Sequence, residues 1–145
     1  MRAVVTRVTS ASVSVGGEEI GRIGTGYLVL LGVTAGDTES DARRLASKIC
    51  SLRVFGDENG KMNLDLRSVG GEMLVISQFT LFADTSSRRP GFTGAAKPDT
   101  AVPLYELFVG ECRAAGFVVK TGEFGAMMAV ESVNDGPVTL IFDTV

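Results

Sequence analysis

Two rhythms of apolar and polar positions divide the chain. Through the first third, β-branched and apolar residues gather in "AVVTRV", "ASVSV" and "GYLVLLGVT", separated by "GGEE" and "GTG". Such runs, bounded by turn formers, predict a meander of three or four strands. In "DTESDARRLASKICSLR" the period lengthens: Ala42, Leu45, Ala46, Ile49 and Leu52 recur at three and four, the stripe of an amphipathic helix. Thr38, with Asp41 three residues on, is its expected N-cap.

Beyond it, "RVFGDENGKMNL" reads as a short strand and a turn, and "EMLVISQFTLFAD" as the most apolar and central strand. From Asp84 to Pro98 there is no periodicity, but the stretch holds Gly, Pro, Ser and both Arg88 and Arg89; so long a loop is usually functional. A second helix is expected over about Thr100 to Ala115, with Leu104, Leu107, Phe108 and Cys112 inward, Pro103 in the first turn and Gly116 as its stop. "FVVKTG", "AMMAVESV" and "PVTLIFD" return to strands, the last preceded by Asn134, Asp135 and Gly136, which read as a tight turn at a sheet edge. The expectation is one α/β domain over residues 1–145, a layered β/β/α arrangement of mixed sheets with two main helices on one side.

Composition narrows the chemistry. The chain has no histidine, which removes the residue that shuttles protons in Ser-His-Asp and Cys-His sites and, with two cysteines, disfavours a zinc site. Cys50 and Cys112 lie among apolar residues and are expected as buried, reduced thiols. A net charge of −3, from 14 Lys+Arg against 17 Asp+Glu, argues against a protein that coats nucleic acid nonspecifically. It leaves room for a local contact at Arg88, Arg89 and Lys97, a stretch with no acid between them. No apolar run has the length of a bilayer span, and "MRAVVTRVTS" lacks a signal peptide's core, so a cytoplasmic protein is expected. Ser77, Gln78 and Thr80 close the apolar strand with polar side chains, a place where rigid backbone can aim N–H groups at a ligand. Neither hydroxyl has an evident base beside it.

Taken together, "MRAVVTRVTSASVSVGGE", "SQFTLFADT…RRPGFTGAA" and "NDGPVTL" resemble the D-aminoacyl-tRNA deacylases, in the same order and from Met1 to the end. The resemblance implies a homodimeric hydrolase that cuts the ester between a D-amino acid, or glycine, and the terminal adenosine of tRNA, with no cofactor or metal and no membrane partner. It implies that Ser77, Gln78, Phe79 and Thr80 line the pocket for the aminoacyl-adenosine, with N–H groups near Phe79 and Thr80 steadying the oxyanion and the tRNA's own 2′-hydroxyl activating water. It also implies a cis bond between Gly136 and Pro137, reaching into the partner's pocket so that L side chains are excluded. Two departures stand out: "DTSSRRP" is one residue shorter than the family's usual loop, which bears on the tRNA-binding roles of Arg88, Arg89 and Lys97, and Met127 stands where an acid is common. The competing readings are a catalytically silent module that holds tRNA ends and a conventional esterase using Ser77 or Thr80; the absent histidine disfavours the second.

Overall fold

In the computed structural model, which describes residues 1–144, strand β1 (Arg2–Val15) sets the architecture. One edge of β1 pairs along its length with β8 (Ala129–Asp143). Its other edge is shared: residues 2–8 pair with β3 (Gly26–Gly32), and residues 11–15 with β2 (Glu18–Ile23). All three pairings are antiparallel. Beyond β3 come β6 (Glu72–Ser77) and β7 (Val119–Thr121), both parallel, so the sheet is mixed. A separate hairpin of β4 (Arg53–Gly56) and β5 (Met62–Asp65) completes the strands of the described residues.

The parity of β1 explains how one sheet makes two layers. Ala3 and Val5 face the core that also holds Tyr27, Val29, Leu31, Met73 and Val75. Val8, Ala11 and Val13 face a second core with Ile23, Leu28, Leu74 and Ile76. Side chains alternate strictly in a regular strand, so passing from Val8 to Ala11 on one face requires an irregularity. The β1–β8 pairing slips there, between Val8 and Ser10. The far half of β1, with β2, thus folds over the sheet until a Cβ on Gly21 would lie 3.3 Å from the Thr121 carbonyl oxygen.

Helices α1 (Glu39–Cys50) and α2 (Pro98–Ala114) cover the other face. Thr38 caps α1 reciprocally with Asp41, as its sequence spacing predicts. Helix α2 begins earlier than expected: Pro98 takes the first position, where a missing N–H is harmless, which leaves Pro103 inside the helix and not in its first turn. At its end, Phe117 N–H donates to the Cys112 carbonyl (3.3 Å) and Gly116 N–H to that of Arg113 (2.9 Å), with Gly116 at φ 99°. This is the paired-bond stop that favours glycine. Phe108 and Cys112 are fully buried, and each large apolar side chain so placed contributes about 1.5–3 kcal/mol. Cys50, expected buried, is only partly so and lies at the open end of α1. The neighbouring Cys112 thiol holds the Cys50 thiol below its ordinary value, and the same pairing together with burial pushes Cys112 up.

Two further expectations are corrected. "AVVTRV" and "ASVSV" form one strand, and so do "AVESV" and "PVTLIFD". Asn134–Gly136 is therefore not a turn between two strands but lies within one edge strand. Thr6 pairs with Thr139 and Val8 with Asn134, so four residues of β8, Asp135 to Val138, stand opposite Arg7 alone. They form a bulge in a continuous strand, because pairing to β1 on both sides outweighs the local turn preference. The strand expected through "EMLVISQFTLFAD" stops at Ser77, and Phe79–Phe82 winds into a 3-10 turn.

Candidate active site

Strand β6 lies between β3 and β7, and Met73 to Ile76 are buried, so its end is fixed by the core. Ser77 pairs with Leu31, and the Gln78 N–H extends the ladder by donating to the Leu31 carbonyl at 2.8 Å. The chain then turns. Leu81 N–H donates to the Gln78 carbonyl (3.2 Å) and Ala83 N–H to that of Thr80 (3.1 Å). The N–H groups of Phe79 and Thr80 precede the first of these bonds and have no partner inside the turn, as at any helix start. Gln78 caps the turn with backbone alone, and its side-chain amide donates instead to the Thr80 hydroxyl at 2.5 Å. An amide donor cannot take a proton from that hydroxyl, so nothing there activates Thr80 as a nucleophile.

Two hollows flank this strand end. One, of about 300 Å³, is bounded by Ser77, Gln78, Phe79, Met127 and Met128. The other, of about 380 Å³, is bounded by Ser77, Phe79, Phe92, Lys97 and Ala101. Phe124 and Gly125 line both. Phe79 is 55% exposed and meets Phe92 edge to face, with ring centroids 5.2 Å apart. Met127 is 92% exposed at the rim. Beneath, the Tyr105 hydroxyl donates to the Val75 carbonyl of β6 at 2.7 Å, and burial pushes its pKa up to about 12. It is a structural donor, not an acid for neutral pH.

The stretch after the turn is more ordered than its sequence suggests. Asp84 and Gly91 exchange both backbone bonds (2.7 and 2.9 Å), closing the loop that carries Arg88 and Arg89. Ser86 N–H donates to the Asp84 carboxylate at 2.9 Å and, as the largest cause, holds it below the usual carboxylate range. Ala96 N–H donates to the Val33 carbonyl (2.9 Å), which pins the loop's far end to the end of β3. Lys97 therefore borders the cleft, whereas Arg88 and Arg89 are exposed on the closed loop and line neither hollow.

Gly136 and Pro137 lie elsewhere. Their bond is cis, Gly136 has φ 121°, and both are exposed on the bulge of β8. Arg7 braces the bulge from β1: its Nε donates to the Asp135 carbonyl (3.1 Å) and lies 3.3 Å from the Asp135 carboxylate, while Nη1 donates to the Val54 carbonyl (2.5 Å). Register gives the separation from Ser77. Arg7 is level with Tyr27 and hence with Met73, four residues before Ser77 on β6, and β1 and β3 intervene. At about 3.3 Å per residue and about 4.8 Å per strand, the bulge and the cleft of one chain are about 20 Å apart. Of the residues named from sequence, the fold thus gathers Ser77, Gln78, Phe79, Thr80 and Lys97 and separates Gly136 and Pro137. Sequence reasoning passed over Arg7, Phe92 and Phe124. Arg7 sits in an alternating strand, where its charge gives no local sign that the side chain is mostly buried.

Comparison with known proteins places this geometry. The family model for D-Tyr-tRNA(Tyr) deacylase matches residues 4–143. Proteins named D-aminoacyl-tRNA deacylase from Roseiflexus sp. (strain RS-1) and Thermus aquaticus are 57% and 58% identical over 99% of this chain and 94% and 95% of their own. Among solved structures, one described as c-Myc DNA Unwinding Element Binding Protein superposes with a TM-score of 0.92 at 41% identity, covering 99% of this chain and 98% of that one. Another, described as a probable eukaryotic D-amino acid tRNA deacylase, shares the fold with a TM-score of 0.84 at 17% identity and 97% coverage of both chains. With the strand-end turn, the bulge and the flanking sheet all inside the matched span, the chain belongs to the D-Tyr-tRNA(Tyr) deacylase family.

Proposed function

We propose that this protein hydrolyses the ester of D-aminoacyl-tRNA, and of glycyl-tRNA, and spares L-aminoacyl-tRNA. The observation that supports the chemistry is the start of the Phe79–Phe82 turn, where the Phe79 and Thr80 N–H groups have no partner within the turn and Ser77 and Phe79 line the adjoining clefts. Water attacks the ester carbonyl, the oxyanion is steadied by those N–H groups, and the intermediate collapses by expelling the ribose oxygen, which takes a proton. The 2′-hydroxyl of the terminal adenosine relays the proton, accepting one from the attacking water as it passes its own to the departing 3′-oxygen, while the Thr80 hydroxyl is held by a donor, the Gln78 amide. Gln78 and Thr80 position the substrate, Ser77 and Phe79 wall the cleft, and Lys97, with Arg88 and Arg89 further out, meets tRNA phosphates.

Chiral selection is assigned to Gly136 and Pro137 of a partner subunit in a twofold dimer. What supports this is the separation of about 20 Å within one chain, too far for both elements to touch one ester. Strand β8 also pairs only with β1 among the described residues, leaving an outer edge beside the exposed Val130, Val133 and Ile141. An edge of that kind is normally covered. In a symmetric pair each bulge can complete the other's cleft.

Purified protein incubated with matched D- and L-tyrosyl-tRNA should release D-tyrosine and leave the L-ester largely intact. Equal loss of both would defeat the selectivity, and retention of both with tight binding would leave only a module that holds tRNA ends. A terminal 2′-deoxyadenosine substrate should bind but turn over poorly. Light scattering at assay concentration should give twice the chain mass; an active monomer would remove the shared site.

A further inference from the structure

A four-residue 3-10 turn cannot hold its own orientation, because few bonds close it and its end carbonyls have no partners within it. Three contacts from neighbouring strands hold this one. Gln78 N–H ties the entrance to Leu31. Gly32 is the seat: a Cβ there would meet the Gln78 carbonyl oxygen and the Leu81 Cβ at 3.1 Å and Phe82 Cδ2 at 3.2 Å. The exit is held by Arg2, which sits in register between Gly32 on β3 and Asp143 on β8.

Arg2 is well placed for this. Its Nη1 donates to the Leu81 carbonyl at 2.9 Å, its Nε to the Asp143 carboxylate at 2.7 Å, and its guanidinium lies 5.1 Å from the centre of the Phe82 ring. The carboxylate fixes the fork, the fork fixes the carbonyl, and the ring prevents the fork from tilting away. A cation on the last carbonyls of a turn also matches the direction of its dipole. Yet the ion pair is more than a third exposed on both sides, so it adds little to folding. Its geometry matters more than its strength.

We propose that Arg2, oriented by Asp143, is a positioning residue for hydrolysis: it locks the Leu81 carbonyl and through it the orientation of the Phe79 and Thr80 N–H groups. The proposal rests on the oxyanion role assigned to those groups above. Atoms that must stay aligned with a developing charge tolerate only small displacements, whereas ground-state binding of the tRNA uses a wider surface.

The test compares wild type, Arg2→Gln, Arg2→Lys and Asp143→Asn by steady-state hydrolysis of D-tyrosyl-tRNA and by amide hydrogen exchange. Arg2→Gln should lower kcat by about tenfold with KM within about twofold of wild type. Arg2→Lys should recover only part, since an ammonium cannot hold the carboxylate and the carbonyl in one fixed fork. Asp143→Asn should fall between. Exchange at Leu81 and Ala83 should quicken in Arg2→Gln while the amides of β6 stay as protected as before. An unchanged kcat in Arg2→Gln would overturn the proposal, and so would a loss accompanied by equal acceleration throughout β6, which would mark general loosening. If wild type fails to cleave the ester, the proposed activity falls, and unchanged Leu81 and Ala83 exchange in Arg2→Gln would overturn the bracing role separately.

Discussion

The Phe79–Phe82 turn and the Asp135–Val138 bulge are both short departures from a strand, but they are held by different means. The turn continues a strand buried on both faces and rests against the backbone of β3, so the core fixes where it begins. The bulge stands on an edge strand, largely exposed, opposite one residue, and the side chain of that residue supplies its bracing. A group meant to meet developing charge gains from a rigid, main-chain foundation. The bulge, in the dimer proposed above, must stand clear of the core, and it depends on a few polar contacts instead. The two elements should therefore fail differently.

The sharpest way to break the comparison is at Arg7. Arg7→Met keeps most of the apolar stem but strips the Asp135 and Val54 carbonyls of their donor and leaves the Asp135 carboxylate without its cation. Hydrogen bonds to a charged group contribute about 1.5–3 kcal/mol each when well buried, and Asp135 is partly exposed, so a loss of about 2–3 kcal/mol is expected. The melting temperature should drop by several degrees, and D-aminoacyl-tRNA hydrolysis should fall with it. Exchange protection at Leu81 should stay as in wild type. A variant that melts and works like wild type would mean that the bulge does not depend on Arg7.

Gly136→Ala tests the bulge while keeping the donors of its brace, although the added methyl crowds the Arg7 guanidinium. At φ 121° a side chain is strained, and a Cβ would lie 3.1 Å from Arg7 Nη2 and from the Val138 nitrogen. Strain of this kind costs about 1–3 kcal/mol, and on an exposed bulge it is relieved by local movement more readily than by unfolding. The expected result is a loss of about 10- to 100-fold in kcat/KM for every substrate, with little change in melting temperature. Full activity would show that the bulge can move without consequence and would detach it from the site.

How much of this was legible in the sequence differs between the two elements for the same physical reason. The capping pair Thr38 and Asp41, the apolar stripe of α1 from Ala42 to Ile49 and the stop at Gly116 are local signals and appear where they were read, although the helix ends before Leu52. The polar finish of β6 was legible because apolar residues give way abruptly to Ser77 and Gln78. Its 3-10 turn was not, since "FTLF" carries as strong a strand pattern as the residues before it. At the bulge, local signals misled: Asn134, Asp135 and Gly136 favour a hairpin turn, and only long-range pairing of both halves with β1 makes them part of one strand. Arg7 was passed over because a charged residue in an alternating strand normally faces water, whereas its side chain is 14% exposed beneath the bulge. Contacts between positions 128 residues apart leave no periodic trace.

Thr80→Ala should have the smallest effect, and it separates positioning from covalent catalysis at the better-founded end. The Thr80 hydroxyl accepts from the Gln78 side-chain amide at 2.5 Å, a donor that cannot take its proton. Removing it frees the Gln78 amide, in a part-buried place where water can replace the lost partner, and leaves the Thr80 N–H and the bonds that close the turn intact. A neutral hydrogen bond contributes about 0.5–1.5 kcal/mol net, so kcat should fall by less than about tenfold, with the preference for the D-ester unchanged because the bulge is untouched. A nucleophile behaves otherwise: its loss abolishes turnover, and wild type quenched during the reaction would carry an acyl group. Mass spectrometry of the quenched wild-type protein should therefore show the unmodified chain mass. An aminoacyl adduct mapped to Thr80, or complete loss of activity in Thr80→Ala with exchange at Leu81 preserved, would reassign Thr80 from holding the substrate to attacking it.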